Sequence, residues 1–145
     1  MIKKVVTIIL ALAIILGFSA IASATSENSP QVYVNNVEVV STPSAMTVEG
    51  SVFLPFRAIL NAMGVTDDQI TYYPSISSLE IKTPDKYIFM AIGSTGVILD
   101  KQMVTITSAP FSYEGRTFVP VRAIADLLGA KIEWNATDKI VNITN

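Results

Sequence analysis

A sixteen-residue segment occurs twice in this chain, and this repetition restricts the possible folds more than any other feature. Residues 49–64 read EGSVFLPFRAILNAMG and residues 114–129 read EGRTFVPVRAIADLLG, an offset of 65 positions with eight identities. Internal repetition at a fixed spacing indicates that one structural unit is used twice. The repetition also weighs against an enzyme, because catalytic groups usually occur once whereas structural units recur.

Each copy of the segment predicts a strand, then a short helix, then a turn. Pro55 and Pro120 follow the apolar strands 51–54 and 116–119, and proline is tolerated in a first helical turn because that amide has no intrahelical partner. Apolar residues then recur at i, i+3, i+4 and i+7, which gives each helix one apolar face. In the first copy this face consists of Phe56, Ile59, Leu60 and Met63. Glycines end both helices, which are too short to persist alone and are therefore predicted to pack on a sheet.

Short strands are predicted on both sides of each helix. Asn35-Asn36 suits a tight hairpin turn, and at the 65-residue offset it falls on Asp100-Lys101. The remaining runs alternate apolar and polar residues, as half-buried strands do. The predicted strands cover residues 31–34, 37–40, 51–54, 70–73, 78–82, 86–92, 97–99, 103–106, 116–119, 131–134 and 139–143. We therefore expect an α+β fold of two β-β-β-α-β-β repeats, about 31–92 and 95–145, with mostly antiparallel sheet and one short helix per repeat.

The N-terminus has the pattern of a secretory signal peptide over residues 1–24. Lys3 and Lys4 precede an apolar run over residues 5–21, and Ala22-Ser23-Ala24 matches an A-x-A cleavage site. The alternative is an uncleaved N-terminal anchor, because 17 residues is near the lower limit for crossing a bilayer. We expect cleavage, which leaves residues 25–145 as a domain that is secreted, extracellular or associated with the cell wall, without membrane contact.

Charge and composition exclude several classes of function. Without Lys3 and Lys4 the 10 basic residues become 8, against 12 acidic residues, a net charge of −4. This balance offers no footprint for nucleic acid or for an anionic membrane surface. The chain has no cysteine and no histidine, so the fold must be stable without disulfides, and Ser-His-Asp and Cys-His nucleophiles are excluded.

Residues 115–135, GRTFVPVRAIADLLGAKIEWN, resemble the copper amine oxidase N-terminal-like family, whose members are also called stalk domains. The shared pattern is a glycine, an apolar strand, P-x-R, a short helix, a second glycine and a strand with an aromatic end. Because both copies carry it, the resemblance covers residues 31–145. It implies an α+β domain of secreted or surface proteins, commonly of Gram-positive bacteria, without established chemistry of its own. The first copy departs from the pattern at Phe56 and in its longer loop after the helix.

The family name suggests copper, but the composition predicts neither a metal site nor a cofactor. Copper(II) sites of the amine oxidase kind depend on imidazole ligands, and the chain has no histidine. Glycoside hydrolysis uses two carboxylates, and Glu49 and Glu114 recur, yet each precedes a turn glycine, which favours a structural role. Asp67 and Asp68 lack the further oxygen ligands that calcium needs. No catalytic residue is predicted.

Two arginines and two aromatic residues are the candidate ligand-binding residues. Arg57 and Arg122 either pair with a carboxylate and hold helix to sheet, as the i+4 spacing of Arg122 to Asp126 allows, or bind an anionic ligand. Tyr72 and Trp134 occupy equivalent strand positions, where an aromatic residue either packs as a core or half-buried residue or stacks on a sugar.

The predicted function is a secreted, non-catalytic interaction module, a stalk domain of the cell envelope or the extracellular space. Its partner is an unknown extracellular protein or a cell-wall glycan, and the alternative is a carbohydrate- or peptidoglycan-binding module.

Overall fold

The computed structural model describes residues 29–145, which form thirteen strands and two α-helices. The predicted signal peptide lies outside the described residues. In chain order the elements are β1 (Gln31–Val34), β2 (Val37–Glu38), β3 (Met46–Val48), β4 (Ser51–Pro55), α1 (Phe56–Ala62), β5 (Ile70–Tyr73), β6 (Ser78–Lys82), β7 (Tyr87–Ala91), β8 (Gly96–Leu99), β9 (Gln102–Thr105), β10 (Phe111–Tyr113), β11 (Arg116–Pro120), α2 (Val121–Leu128), β12 (Lys131–Asn135) and β13 (Ile140–Thr144).

The strands form three sheets. The first sheet has the order β12-β13-β1-β2, the middle sheet β10-β11-β4-β3, and the third sheet β5-β6-β7-β8-β9. Among the described residues every strand pair is antiparallel except β1 with β13, where the first and last strands run parallel. The expected α+β class with mostly antiparallel sheet is therefore confirmed.

Tight two-residue turns join the strands of four hairpins. The expected turn at Asn35-Asn36 is present, with φ of 49° and 66°, and it places Val34 opposite Val37. The pairs Glu49-Gly50, Asp100-Lys101 and Glu114-Gly115 also have positive φ at both residues. Two consecutive left-handed residues give the turn whose twist matches that of the flanking strands, so these pairs fix the hairpin registers.

Within residues 31–62 and within residues 96–128, four strands precede the helix, not the three that the sequence predicted. The additional strands are β3 and β10, each of three residues, and each pairs with the next strand across a Glu-Gly turn. The glycines at 50 and 115 were recognised as turns. The strands before them were missed because three residues are too few to establish an alternating pattern.

Strands of the two copies of the repeated segment pair with each other in the middle sheet. In the β4–β11 pair, Leu54 lies opposite Val119, and each proline lies opposite the phenylalanine of the other copy. The outer sheets mix the halves of the chain in the same way. β1 of the first half pairs with β13 of the second, and β7 lies between β6 and β8. Neither half of the chain therefore contains all the partners of its own strands.

One cluster of buried residues connects the three sheets and both helices. The helices contact each other and pack on β4 and β11, and the expected apolar faces are mostly buried, with Ile59, Leu60 and Ile124 fully enclosed and Phe56 partly buried. Gly129, at φ 77°, ends α2 in a left-handed conformation that favours glycine. The fold thus holds the start of each helix against the middle sheet, and this determines the geometry of the site.

Candidate functional site

The structure brings the four candidate residues together in two pairs, each in its own groove. Arg57 and Tyr72 line a groove of about 450 Å³, and Arg122 and Trp134 line one of about 330 Å³. We call these the Arg57 groove and the Arg122 groove. The Arg57 groove is completed by Pro55, Phe56, Ser112, Gly115, Arg116 and Thr117. The Arg122 groove is completed by Gly50, Ser51, Val52, Thr107, Pro120, Val121, Ile132 and Val141.

The two grooves are built from equivalent positions of the repeated segment. Each combines the proline, the next residue and the arginine at one helix start with the aromatic residue of the strand after that helix. The opposite wall comes from the other copy, from its turn glycine and the beginning of its strand. This combination follows from the antiparallel pairing of β4 with β11, because the helix start of one copy then lies beside the turn of the other.

Arg57 and the aromatic side chains of its groove have partners within the chain, whereas the side chain of Arg116, which also lines the groove, forms neither an ion pair nor a hydrogen bond among residues 29–145. Arg57 Nη1 donates to Asp67 Oδ1 at 2.9 Å, and the guanidinium lies 5.1 Å from the centroid of the Phe56 ring. The Phe56 ring in turn is stacked on Tyr72, with centroids 6.4 Å apart and planes inclined by 29°. Arg57 therefore has the carboxylate partner that the structural interpretation required, and its flat face meets a ring, although Asp67 lies in the loop after the helix and not in a sheet.

The Arg122 groove lacks both of these partners. Val121 stands where the first copy has Phe56, and the chain from helix to strand is three residues shorter, which removes the loop that carries Asp67. Within residues 29–145 Arg122 forms neither an ion pair nor a hydrogen bond, so the pair with Asp126 that the spacing allowed is not present. The arginine of this groove is left with an unneutralised, solvent-exposed charge.

Trp134 lies beside Arg122 on the outermost strand of the first sheet. Its side chain is 43% exposed, so it is not enclosed in the core and is at most half-buried. The groove next to it has mainly aliphatic walls, formed by Val52, Val121, Ile132 and Val141, and its side-chain hydroxyls come from Ser51 and Thr107. The groove can therefore hold an apolar group against an indole, with a cation within the same cavity.

A second aromatic surface, on the third sheet, was not predicted as a unit. The hydroxyls of Tyr73 and Tyr87 donate to the two carboxylate oxygens of Glu80, at 3.4 and 3.1 Å, and the Tyr73 ring lies 6.5 Å from that of Phe89. Partial burial and the hydrogen bond to Glu80 raise the pKa of Tyr87 above its ordinary value. These residues lie on three neighbouring strands, so only the strand register brings them together. In the sequence, the alternating pattern of residues 86–92 was the one feature that indicated a strand contributing to this surface.

Comparison with known proteins identifies one family. A family model described as the copper amine oxidase N-terminal domain matches residues 33–143, in agreement with the resemblance seen in the sequence. No match was found among curated proteins or among solved structures.

The residues of this chain do not fit the copper that appears in the family's name. The sequence has no histidine and no cysteine, and residues 29–145 contain no group of three or more Asp and Glu side chains that could hold a metal ion. The imidazole ligands on which such copper sites depend are thus missing from the chain.

The described part of the chain contains no helix with the length and apolar character of a membrane span.

Proposed function

The chain belongs to the copper amine oxidase N-terminal domain family, a non-catalytic module, and we propose that it acts as a secreted interaction module of the cell envelope or the extracellular space. The observation that carries the proposal is the Arg122 groove, where an exposed guanidinium and an exposed indole share a cavity with aliphatic walls. Apolar concave surfaces with a few polar groups are typical of binding sites. The absence of histidine and cysteine from the sequence favours binding over catalysis.

The scaffold that we propose for this module is a duplicated unit, with repeats at about 31–92 and 95–145. The support is that equivalent residues of the two copies, Leu54 and Val119, lie opposite each other, and that the two grooves use equivalent positions. In this arrangement the repeats exchange strands, and each copy supplies one wall of the other's groove.

Binding of the purified protein to isolated envelopes of the producing cell tests the proposed function. We expect saturable retention that Arg122→Gln weakens and that Arg57→Gln leaves unchanged, because Arg57 already has Asp67 as its partner. Envelopes treated with protease should lose the binding when the partner is a protein. Retention that is not saturable, or equal losses in both variants, would contradict a role of the Arg122 groove.

A carbohydrate- or peptidoglycan-binding module is the second candidate, and the open aromatic surface of the third sheet favours it. Tyr73 and Phe89 offer ring surfaces beside the Glu80 carboxylate, and sugars combine stacking on rings with hydrogen bonds to such acceptors. If this candidate is correct, digestion of the envelope glycan should abolish retention, and Phe89→Ala should weaken it more than Arg122→Gln does. Retention that survives glycan digestion would exclude it.

A further inference from the structure

We infer that the Arg122 groove binds a peptide segment carrying a carboxylate next to an aromatic or aliphatic side chain. The inference rests on the proposed function and names the chemistry of the partner. Its starting point is the contrast between the two grooves. They are lined by equivalent residues, but only the arginine of the Arg57 groove has a carboxylate partner within the chain.

The Arg57 groove indicates which groups complete this construction. There the chain itself supplies a carboxylate at 2.9 Å from the arginine and a phenyl ring stacked on the aromatic residue of the following strand. Phe56 lines the groove, whereas Asp67 contacts Arg57 without lining it. A charge-assisted hydrogen bond to a carboxylate is one of the stronger polar contacts available to arginine.

The Arg122 groove has an arginine and an aromatic residue at the equivalent positions, but the chain supplies neither a carboxylate nor a ring to contact them. Arg122 corresponds to Arg57 and Trp134 to Tyr72, but Val121 and the shortened loop supply neither ring nor carboxylate. A ligand that completes the second groove in the same way brings both groups with it. Trp134 offers it a larger ring than Tyr72 does, and indole is the better partner for an apolar or cationic group.

The groove walls distinguish a peptide from an acidic sugar. A sugar ring exposes several hydroxyls, and each of them needs a partner when it is buried. The side chains of the groove offer hydroxyls at Ser51 and Thr107, whereas Val52, Val121, Ile132 and Val141 are aliphatic. An apolar side chain with one adjacent carboxylate satisfies such walls and one cation. A peptide segment that inserts such a side chain and leaves its backbone amides in solvent is therefore the better match.

The single tryptophan of the chain makes this groove directly observable, because Trp134 is the only source of indole fluorescence. The purified protein would be titrated with acetyl-Phe-Asp-amide while the tryptophan emission is followed. Acetyl-Phe-Asn-amide removes the charge of this probe, acetyl-Ala-Asp-amide removes its ring, and acetyl-Phe with a free carboxyl group tests a chain terminus as the source of the carboxylate.

We expect saturable binding of the complete probe and about tenfold weaker binding without its charge, in the range of a charged hydrogen bond. Arg122→Gln should cause the same loss. Arg57→Gln is the matched control, because it removes the equivalent arginine, which is already paired with Asp67, and it should leave binding within about twofold of wild type. Thermal unfolding of both variants confirms that they are folded.

Several results would overturn the inference. These are no saturable change in tryptophan emission with any probe, equal binding of the Asp and Asn peptides, or equal losses in the Arg57 and Arg122 variants. Tighter binding of N-acetylmuramic acid than of every peptide would replace the peptide by an acidic sugar. The proposed function has its own test. Envelope retention without peptide binding would refute this inference and leave the proposed function standing. Peptide binding without envelope retention would refute the proposed function and leave this inference standing.

Discussion

Replacing the two equivalent arginines by alanine should affect stability unequally. Arg57 donates to Asp67 and lies over the Phe56 ring, whereas Arg122 has no such partner among residues 29–145. If arginine were required at this position to hold helix to sheet, both substitutions would be destabilising. We expect Arg57→Ala to lower the melting temperature and Arg122→Ala to leave it nearly unchanged.

The size of the difference follows from the contacts of Arg57. Its ion pair is well exposed, with 46% and 69% of the two side chains accessible, so solvent screening limits its contribution to about 0.5 kcal/mol. The contact with the Phe56 ring adds about 0.5 kcal/mol at an exposed site. A loss of about 1 kcal/mol corresponds to roughly 3–5 °C for a domain of this size. For Arg122→Ala we expect less than about 2 °C, as for a surface change without special contacts.

Differential scanning calorimetry of the wild type and the two variants, in the same buffer, is the appropriate measurement. Added salt should reduce the gap between Arg57→Ala and wild type, because part of the loss is a screened ion pair. Asp67→Asn should reproduce that salt-sensitive part. If Arg122→Ala lowered the melting temperature as much as Arg57→Ala, the structural role would belong to both arginines and the Arg122 groove would lose its main support.

Three further predictions concern the fold and the aromatic surface. Leu54→Ala should lower the free energy of unfolding, measured in urea, by about 3 kcal/mol, because Leu54 is fully enclosed. As a control, Val48→Ala on the exposed strand β3 should lower it by less than about 1 kcal/mol. Similar losses in the two variants would contradict the described core. Folding raises the pKa of Tyr87, so the protonated phenol stabilises the fold. This contribution is complete below the unfolded pKa of about 10 and is lost as the pH rises through the pKa of the folded protein. Glu80→Gln should lower the tyrosinate midpoint in ultraviolet absorbance, and an unchanged midpoint would exclude the Glu80 contact. A fragment of residues 29–92 should show no cooperative thermal transition, because β4 and β1 then lack β11 and β13.

The sequence was sufficient to predict the elements whose formation depends on neighbouring residues. The Asn35-Asn36 hairpin and the apolar face around Ile59 and Leu60 follow from local backbone preferences and spacing, and both are present. β3 and β10 were missed because three residues carry no periodic signal. Their formation depends on pairing across the Glu-Gly turns, and the sequence indicated the turns without the preceding strands.

The candidate site could be predicted as a set of residues but not as an arrangement. Arg57, Arg122, Tyr72 and Trp134 were selected from the repetition alone, and the structure places them in two pairs. The pairing depends on the register of β4 against β11, a contact between residues far apart in sequence. The aromatic surface around Glu80 depends on register in the same way, and for that reason most of its members were not recognised.

The difference between the grooves arises at two positions, the residue after the proline and the loop after the helix. These positions decide whether the arginine and the aromatic residue of a groove have partners within the chain, because they supply or remove the ring of Phe56 and the carboxylate of Asp67. Asp67 is exposed and Phe56 is partly buried, whereas the equivalent Val121 is 1% exposed and belongs to the enclosed core. A change in the exposed loop can therefore add or remove the carboxylate without altering the core, while a change after the proline also alters the core that contains Leu54 and Val119.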